Sequence, residues 1–392
     1  MTAAVWLYGF GLTAHAIPPR DLHIEIQGRA IATHDGRDQD GRLWPLLIHV
    51  EGENWLAPVP AYATAVAVTL WPDSTAPGRW VAVFMGALDV VLIYLIAAHL
   101  FGAEFLACTA AAMLLVTPAH FHYSRLAGQE GIWPLAFVLG WLLGLIVFLE
   151  SASTLRRGRL ALALAMVSLT GSVYTQPSAV DMFPLFFGLT LVTLFRAEHA
   201  RRADRLAACG VAAAALIPLL LWFAIYPKTY LDTYGRWFLH PAYLRNPVAW
   251  ARAVTHWHTL TVWSDVFWDF FAPATLFFDV GMRGHCGVFL FATSILIVLG
   301  LVAMLREPEA ATVRRVNGII LSGFIVGPFV AATFMEFRAV QRSLVIVPFG
   351  VLLASFGVDA LWRRQTVGGK ALTVLLLIWM IGQFLYCYQA LL

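Results

Sequence analysis

Charged residues are scarce in this chain, and that scarcity sets its class. Only 12% of the 392 residues are Asp, Glu, Lys or Arg, whereas 60% are hydrophobic and the mean hydropathy is +0.74. A soluble domain carries about 25% charged residues. The composition therefore excludes a soluble globular protein and predicts an integral membrane protein.

The chain also lacks a basic cluster, a cysteine framework and the usual cofactor motifs. Its net charge is +3 and it has only two lysines, Lys228 and Lys370, so no nucleic acid partner is expected. Gly-rich phosphate loops, nucleotide fingerprints and HExxH are absent, so we predict no metal and no cofactor. The cysteines, which show no CxxC spacing, are interpreted as packing residues. They are Cys108, Cys209, Cys286 and Cys387.

Two histidine pairs could suggest a metal site, but their spacing does not support one. His120 and His122 are two residues apart, and so are His256 and His258. Side chains at this spacing diverge on a helix and share a face only in an extended segment. The sequence therefore permits chelation there without indicating it.

Apolar segments of about 16 to 22 residues, long enough for a hydrocarbon core of roughly 30 Å, recur along the whole chain. We predict an all-α polytopic membrane protein, one domain over residues 1–392 with about eleven transmembrane helices. The first is interpreted as a retained helix because no basic residues precede it. The predicted spans are 2–17, 80–100, 104–118, 133–149, 160–173, 180–195, 206–226, 287–305, 316–334, 343–361 and 371–391.

Basic residues in the short connections orient the chain. Four connections rich in Arg fall on one side by alternation, and the positive-inside rule makes that side cytoplasmic. The long polar segments 18–79 and 227–286 then lie outside. The basic residues are Arg156, Arg157, Arg159, Arg196, Arg201, Arg202, Arg205, Arg306, Arg314, Arg315, Arg363, Arg364 and Lys370.

Both external segments are predicted to be partly helical and amphipathic. In the first, apolar residues alternate with Asp21 and Glu25 in a pattern typical of a juxtamembrane helix on the membrane surface. The second, 227–286, is rich in aromatic residues. Such residues form belts at membrane interfaces and also line sites that stack on sugar rings, and both interpretations remain open.

Several short motifs, taken in order, resemble a known family. They match the GT-C glycosyltransferases of the protein mannosyltransferase and aminoarabinose transferase group, in which an acidic residue follows the first helix. The matching segments are Gly36-Arg37-Asp38-Gln39-Asp40-Gly41, Thr117 to Arg125, Tyr174-Thr175-Gln176-Pro177-Ser178, Met282-Arg283-Gly284-His285, and Arg342 ahead of Pro348.

The resemblance implies transfer of a sugar from a polyprenyl-phosphate donor to an acceptor, with inversion of configuration. It also implies a multi-pass protein of the bacterial inner membrane, surrounded by lipid, with its site facing the periplasm or exterior. The acceptor class stays open between a protein hydroxyl, a lipid headgroup, a glycan and a small alcohol. Such a reaction needs a carboxylate base and cations for the leaving phosphate.

The resemblance places the general base in the first external segment. Asp21 aligns with the family's acidic residue and is the first choice, whereas Leu22 stands where the family has a second acid. Glu25, one helical turn later, is the alternative. A structural role for Asp21, paired with Arg20 or Arg29, is also open.

The candidate ligands of the donor phosphate are Arg283, His285, Arg342 and Arg338. Arg338 and Arg342 are four residues apart, so they would share a face if that stretch is helical. Glu336 could instead neutralise Arg338.

Three further residues are predicted to shape the site. Arg125 lies near a membrane boundary, where an arginine commonly needs a partner or a ligand, and Glu130 is close in sequence. An ordinary ion pair between these two is the alternative. Tyr174 belongs to a turn that matches the family.

Two other functions stay open. A transporter of a polyprenyl-linked substrate would carry charged residues near the bilayer midplane, and Asp89 with Glu150 does not make such a set. The third possibility is a catalytically silent membrane subunit, which the departure at Leu22 favours.

Overall fold

The computed structural model describes residues 1–13, 19–52, 54–128, 131–151, 155–234, 245–278, 286–306, 311–363 and 366–391. The chain is 77% helical. Among the described residues the only sheet is one antiparallel pair in the first external segment, in which Ile48 faces Leu56 and His49 faces Trp55. The predicted all-α polytopic class is confirmed.

The helices run in the following order. They are α1 (Thr2–Gly9), α2 (Pro19–Thr33), α3 (Pro58–Leu70), α4 (Pro77–Phe101), α5 (Glu104–Leu115), α6 (Pro118–Tyr123), α7 (Trp133–Glu150), α8 (Leu155–Gly171), α9 (Ala179–Arg196), α10 (Arg202–Ile225), α11 (Pro227–Tyr234), α12 (Pro247–Val254), α13 (Trp257–Asp269), α14 (Phe291–Arg306), α15 (Ala311–Val326), α16 (Phe329–Thr333), α17 (Val340–Ser343), α18 (Ile346–Arg363) and α19 (Val367–Leu391). The strands β1 (Ile48–His49) and β2 (Trp55–Leu56) precede α3, a 3₁₀ turn spans Ser172–Tyr174 and a π-helical turn spans Ala274–Phe278.

Seven helices of the described part are long and apolar enough to cross a membrane, and three shorter apolar helices accompany them. The seven are Pro77–Phe101, Trp133–Glu150, Ala179–Arg196, Arg202–Ile225, Thr312–Thr333, Ile346–Arg363 and Val367–Tyr388, and the shorter ones are Pro58–Leu70, Glu104–Leu115 and Phe291–Arg306. The span Thr312–Thr333 comprises α15 and α16. Each of the eleven predicted spans contains a helix. The chain is a multi-pass membrane protein.

The helix pair with the most extensive contact is α14 with α18. Glycines make this close approach possible: a Cβ at Gly300 would collide with the carbonyl oxygen of Leu353, and one at Gly357 with that of Leu296. Small residues are the usual means by which helices approach closely within a membrane.

We expect Gly300→Ala to destabilise the protein by about 1–3 kcal/mol, because the new methyl group meets backbone that cannot move aside. Gly318→Ala is the matched control. It lies on the exposed face of α15, where an added Cβ meets no atom within 4 Å, and it should be neutral or slightly stabilising. Thermal unfolding of both variants in detergent measures the difference. Equal midpoints would contradict the packing described for α14 and α18.

Unlike the membrane-surface helix predicted here, α2 buries its acidic side chains. Asp21 and Glu25 are only 2% and 4% exposed, whereas Leu22 and Ile26 are 44% and 36% exposed. The two carboxylates and the apolar residues Ile24 and Ile31 are buried against neighbouring elements, and among the apolar residues only Leu22 and Ile26 point away from the protein. Partners for the carboxylates inside the protein account for this arrangement.

The interpretation of all four cysteines as packing residues is wrong for two of them. Cys286 and Cys387 form a disulfide, with Cα atoms 6.1 Å apart and a sequence separation of 101. The pairing arises because the far end of α19 lies beside the segment that precedes α14. Cys108 and Cys209 are free and exposed.

Candidate functional site

The first turns of α2 meet the start of α4 and the loop after α6, and Asp21 lies at this junction. Its Oδ1 accepts a hydrogen bond from the backbone N–H of Gly128 at 2.7 Å, and its Oδ2 accepts one from Nε of Arg79 at 3.2 Å. Burial raises the pKa of Asp21, an effect opposed by the backbone N–H groups of Gly128 and Ala127 and by Arg79. Both oxygens of this carboxylate therefore have partners.

Glu25 lies one helical turn further along α2 and is held on one side only. Its Oε1 accepts a hydrogen bond from the backbone N–H of Gly78 at 2.9 Å, whereas Oε2 is buried with no hydrogen-bond partner among the described residues. Burial raises the pKa of Glu25 to about 7, opposed by the backbone N–H groups of Gly78 and Arg79. A carboxyl group that titrates near neutral pH has the property of a general base.

A glycine is required at the point where α4 meets Glu25. A Cβ at Gly78 would lie 3.0 Å from Oε1 of Glu25, 3.0 Å from Oγ1 of Thr64 and 3.1 Å from Cβ of Ala127. Contacts this short force neighbours to shift. Gly78 thus lets the backbone N–H approach the carboxylate directly.

Carbonyl groups at the end of α1 and in the turn after it hold two buried arginines. Nη1 of Arg79 donates to the carbonyl of Leu12 at 2.9 Å. Nη1 of Arg125 donates to the carbonyls of Tyr8 at 2.8 Å and Phe10 at 2.6 Å. The last carbonyls of a helix lack partners within the helix and carry partial negative charge, so they suit a guanidinium.

Arg79 and Gly78 were not among the candidates predicted from sequence. Arg79 is 4% exposed and links α1 to Asp21. The one indication in the sequence was its position at the membrane boundary, where an arginine commonly needs a partner. No residue pattern near Arg79 identified Asp21 as that partner.

A second polar group lies deeper, near the middle of α4. The hydroxyl of Tyr8 is 2.9 Å from Nδ1 of His120, and Nε2 of His120 is 3.2 Å from Oδ2 of Asp89. All three residues are fully buried. A neutral imidazole that carries its proton on Nε2 satisfies both contacts. Asp89 therefore does belong to a polar set within the helices, although with His120 and Tyr8 and not with Glu150.

Arg342 is paired, and its pairing differs from the predicted one. Its Nε and Nη2 donate to the carboxylate of Glu336 at 2.7 and 3.1 Å, and its guanidinium lies 4.1 Å from the ring of Phe334. Glu336 thus pairs with Arg342 and not, as the alternative held, with Arg338. The condition for Arg338 and Arg342 to share a helical face is not met, because α17 begins only at Val340 and the backbone φ of Arg338 is +55°.

The remaining candidates lie apart or outside the described residues. Tyr174 donates its hydroxyl hydrogen bond to the carbonyl of Ala215 on α10 and packs with a separate apolar cluster. Arg283, His285 and Glu130 lie outside the described residues. The structure brings Asp21, Glu25 and Arg125 to one junction, whereas the hydrogen bonds described for Tyr174 and Arg342 are with Ala215 and Glu336.

Two clefts lie beside the long polar segment 18–79, with volumes of 550 and 820 Å³. Neither Asp21 nor Glu25 is among the described residues that line them. In the part of the chain that the structure describes, no group of three or more His, Cys, Asp and Glu residues could hold a metal ion.

Solved structures share this arrangement of helices. The chain is similar to ArnT from Cupriavidus metallidurans bound to undecaprenyl phosphate, with a TM-score of 0.60 and 14% identity over 94% of this chain and 61% of that one. It is also similar to the apo oligosaccharyltransferase of Archaeoglobus fulgidus, with a TM-score of 0.56 and 13% identity over 100% of this chain and 54% of that one. Both proteins are GT-C fold glycosyltransferases.

The chain has the GT-C fold. The fold implied by the resemblance of short motifs is thus confirmed. No protein-family model and no curated protein matches the sequence. The chain spans less than two thirds of the length of these two proteins.

The raised pKa of Glu25 predicts a pH-dependent difference in stability. A carboxyl group whose pKa rises on folding stabilises the protein fully below its unfolded pKa of 4.5, and this contribution is lost as the pH rises through about 7. Glu25→Gln removes the titrating group. The variant should therefore gain thermal stability relative to the unmodified protein between pH 4.5 and pH 8 in detergent. A difference that does not change with pH would contradict the burial described.

Proposed function

We propose that this protein is a membrane glycosyltransferase that moves a sugar from a polyprenyl-phosphate donor to an acceptor at the external face. The observation that carries the proposal is the buried carboxylate pair, Asp21 and Glu25, beside the start of α4. The GT-C fold supports it, because ArnT, which has this fold, is bound to undecaprenyl phosphate. A carboxylate base and a lipid phosphate are what this chemistry requires.

The disulfide supports an external location for this site. Cys286 ends the second long polar segment and Cys387 lies near the end of α19. Both positions are on the side opposite the Arg-rich connections. Disulfides persist in oxidising compartments and basic connections stay in the cytoplasm, so the two features favour the same orientation. In a bacterial inner membrane the site would face the periplasm.

For the general base we favour Glu25 over Asp21, which reverses the order expected from the family motif. Oε2 of Glu25 has no hydrogen-bond partner among the described residues, whereas both oxygens of Asp21 are bonded. The pKa of Glu25, about 7, also suits proton removal at neutral pH. Asp21 then positions Arg79 and the start of α4. Both carboxylates are covered here, and catalytic hydrogen bonds often form only when substrate binds.

The proposed reaction is a single displacement. The acceptor hydroxyl gives its proton to Oε2 of Glu25 while its oxygen forms a bond to the anomeric carbon. The bond from that carbon to the phosphate oxygen breaks, and the polyprenyl phosphate leaves with the electron pair. Attack opposite the leaving group inverts the configuration. Arginine suits the released phosphate because its planar fork bonds two oxygens.

Substitution of the two carboxylates tests the proposal. In detergent, with a labelled sugar on polyprenyl phosphate, Glu25→Gln should reduce transfer by about 10²- to 10⁴-fold, the usual contribution of a general base. Glu104→Gln, at an exposed glutamate at the start of α5, should leave transfer unchanged. Activity of the unmodified protein should rise with pH through about 7.

The outcomes separate the alternatives. Full activity of Glu25→Gln together with loss in Asp21→Asn would make Asp21 the base. Transfer in detergent also separates an enzyme from a transporter, because transport requires a sealed compartment. Absence of transfer from every polyprenyl-phosphate sugar tried would overturn the proposed function.

Arg342 is proposed as a ligand of the donor phosphate, with Arg338, Arg283 and His285 as further candidates. Arg342→Ala should weaken binding of undecaprenyl phosphate by about tenfold or more, the expected loss for a hydrogen bond to a charged group. Arg363→Ala is the control, because Arg363 also pairs with a carboxylate, that of Asp359, at the opposite, Arg-rich side. Affinity measured in detergent compares them. Equal affinity in all three proteins would remove Arg342 from the donor site.

A further inference from the structure

In the loop after α2, a tryptophan with an unusual backbone conformation has an exposed ring. Trp44 is 64% exposed and has a φ of +49°. Asp35 and Gly36, at the other end of the same loop, have φ values of +53° and +81°. Positive φ in a bulky residue such as Trp is a genuine outlier, so it persists only where the surroundings impose it.

Hydrogen bonds and one glycine impose the conformation. The backbone N–H of Trp44 donates to the carbonyl of Gly36 at 2.9 Å, and that of Arg42 donates to Oδ1 of Asp38 at 2.8 Å. A Cβ at Gly36 would lie 2.7 Å from the ring of Trp44, so the indole packs directly on the glycine. The two acceptors, Gly36 and Asp38, belong to the Gly-Arg-Asp motif of residues 36–41. This motif has no role in the proposed transfer reaction.

The displayed ring forms one wall of a cleft of 820 Å³ between this loop, the end of α2 and the outer side of α3. The rings of Trp44 and Tyr62 stack with centroids 5.8 Å apart and planes 20° apart, and the hydroxyl of Tyr62 donates to the carbonyl of Pro45 at 2.8 Å. Asp35 supplies a carboxylate. The volume is in the range of ligand sites, roughly 300–1,000 Å³.

The lining of the cleft indicates the chemistry of its occupant. A sugar has an apolar face of C–H groups, which packs on an aromatic ring, and a rim of hydroxyls, which donate hydrogen bonds to a carboxylate. The described residues that line the cleft include no Arg, Lys or His, so nothing there neutralises a phosphate or an acidic sugar.

We propose that this cleft binds carbohydrate, a neutral or amino sugar, with Trp44 as the stacking platform and Asp35 as the hydrogen-bond acceptor. Ile31 lines the cleft and lies six residues after Glu25 on α2, about 9 Å along the helix axis. A saccharide bound here would extend along the same helix as the proposed base. The binding itself does not depend on the transfer reaction and is measurable without it.

Saturation-transfer NMR on the full chain in detergent tests the proposal. The probes are methyl α-mannoside, galactosamine and galacturonic acid. The first two should receive saturation at their ring protons, and the acidic sugar should not. Trp44→Gly should weaken binding by about tenfold or more. Glycine adopts positive φ without strain, so this variant keeps the loop conformation and the fold.

Two further variants sharpen the result. Trp71→Ala removes a tryptophan of similar exposure, 52%, from the neighbouring 550 Å³ cleft, and it should bind the sugars like the unmodified protein. Asp35→Asn keeps a residue that tolerates positive φ, and it should weaken binding of galactosamine more than that of methyl α-mannoside.

Three results would overturn the proposal. The first is that methyl α-mannoside or galactosamine receives no saturation. The second is that Trp44→Gly binds the sugars as well as the unmodified protein does. The third is that Trp71→Ala loses sugar binding whereas Trp44→Gly keeps it. If Trp44→Gly binds sugars normally but associates less with phospholipid vesicles, Trp44 is an interfacial membrane anchor and not a sugar platform. Failure of sugar transfer in the carboxylate experiment leaves this proposal intact.

Discussion

The junction of α1, α2 and α4 depends on the contacts of the buried Arg79 guanidinium. This group joins the segment after α1, through the carbonyl of Leu12, to the carboxylate of Asp21 on α2. A buried charge costs several kcal/mol unless it is paired and hydrogen-bonded. The segment after α1, the first turn of α2 and the start of α4 must therefore pack together for Arg79 to be buried. Arg125 repeats the arrangement with the carbonyls of Tyr8 and Phe10. The short α1 helix thus acts as an acceptor for two arginines that other elements supply.

This junction also explains the orientation of α2. Because Arg79, Gly78 and Gly128 offer donors inside the protein, the carboxylates of Asp21 and Glu25 turn inward. Leu22 and Ile26 are consequently exposed. An apolar surface on a juxtamembrane helix is compatible with a position against the membrane. The departure from the family motif at Leu22 is therefore consistent with the packing, since that position faces away from the junction.

Other polar contacts follow the same rule at longer range. Asp89 is buried with His120 and Tyr8, and Cys286 joins Cys387 across 101 residues. In each case the partners lie on elements that are distant in sequence. Spacing between residues cannot reveal such pairs, and the sequence accordingly indicated neither the polar set around Asp89 nor the disulfide. A local pair also escaped prediction: Glu336 bonds Arg342, and the chain between them passes through positive φ at Arg338.

The sequence by itself determined the membrane class, the approximate helical spans and the presence of carboxylates after the first helix. These features are local, because every stretch of about 20 residues that crosses a bilayer must be apolar whatever surrounds it. Only the tertiary structure decided which carboxylate oxygen is left without a partner, which arginine is buried beside Asp21 and which cysteines pair. Those properties depend on donors and acceptors brought together from distant segments. The pKa of Glu25 rises chiefly because that packing removes water.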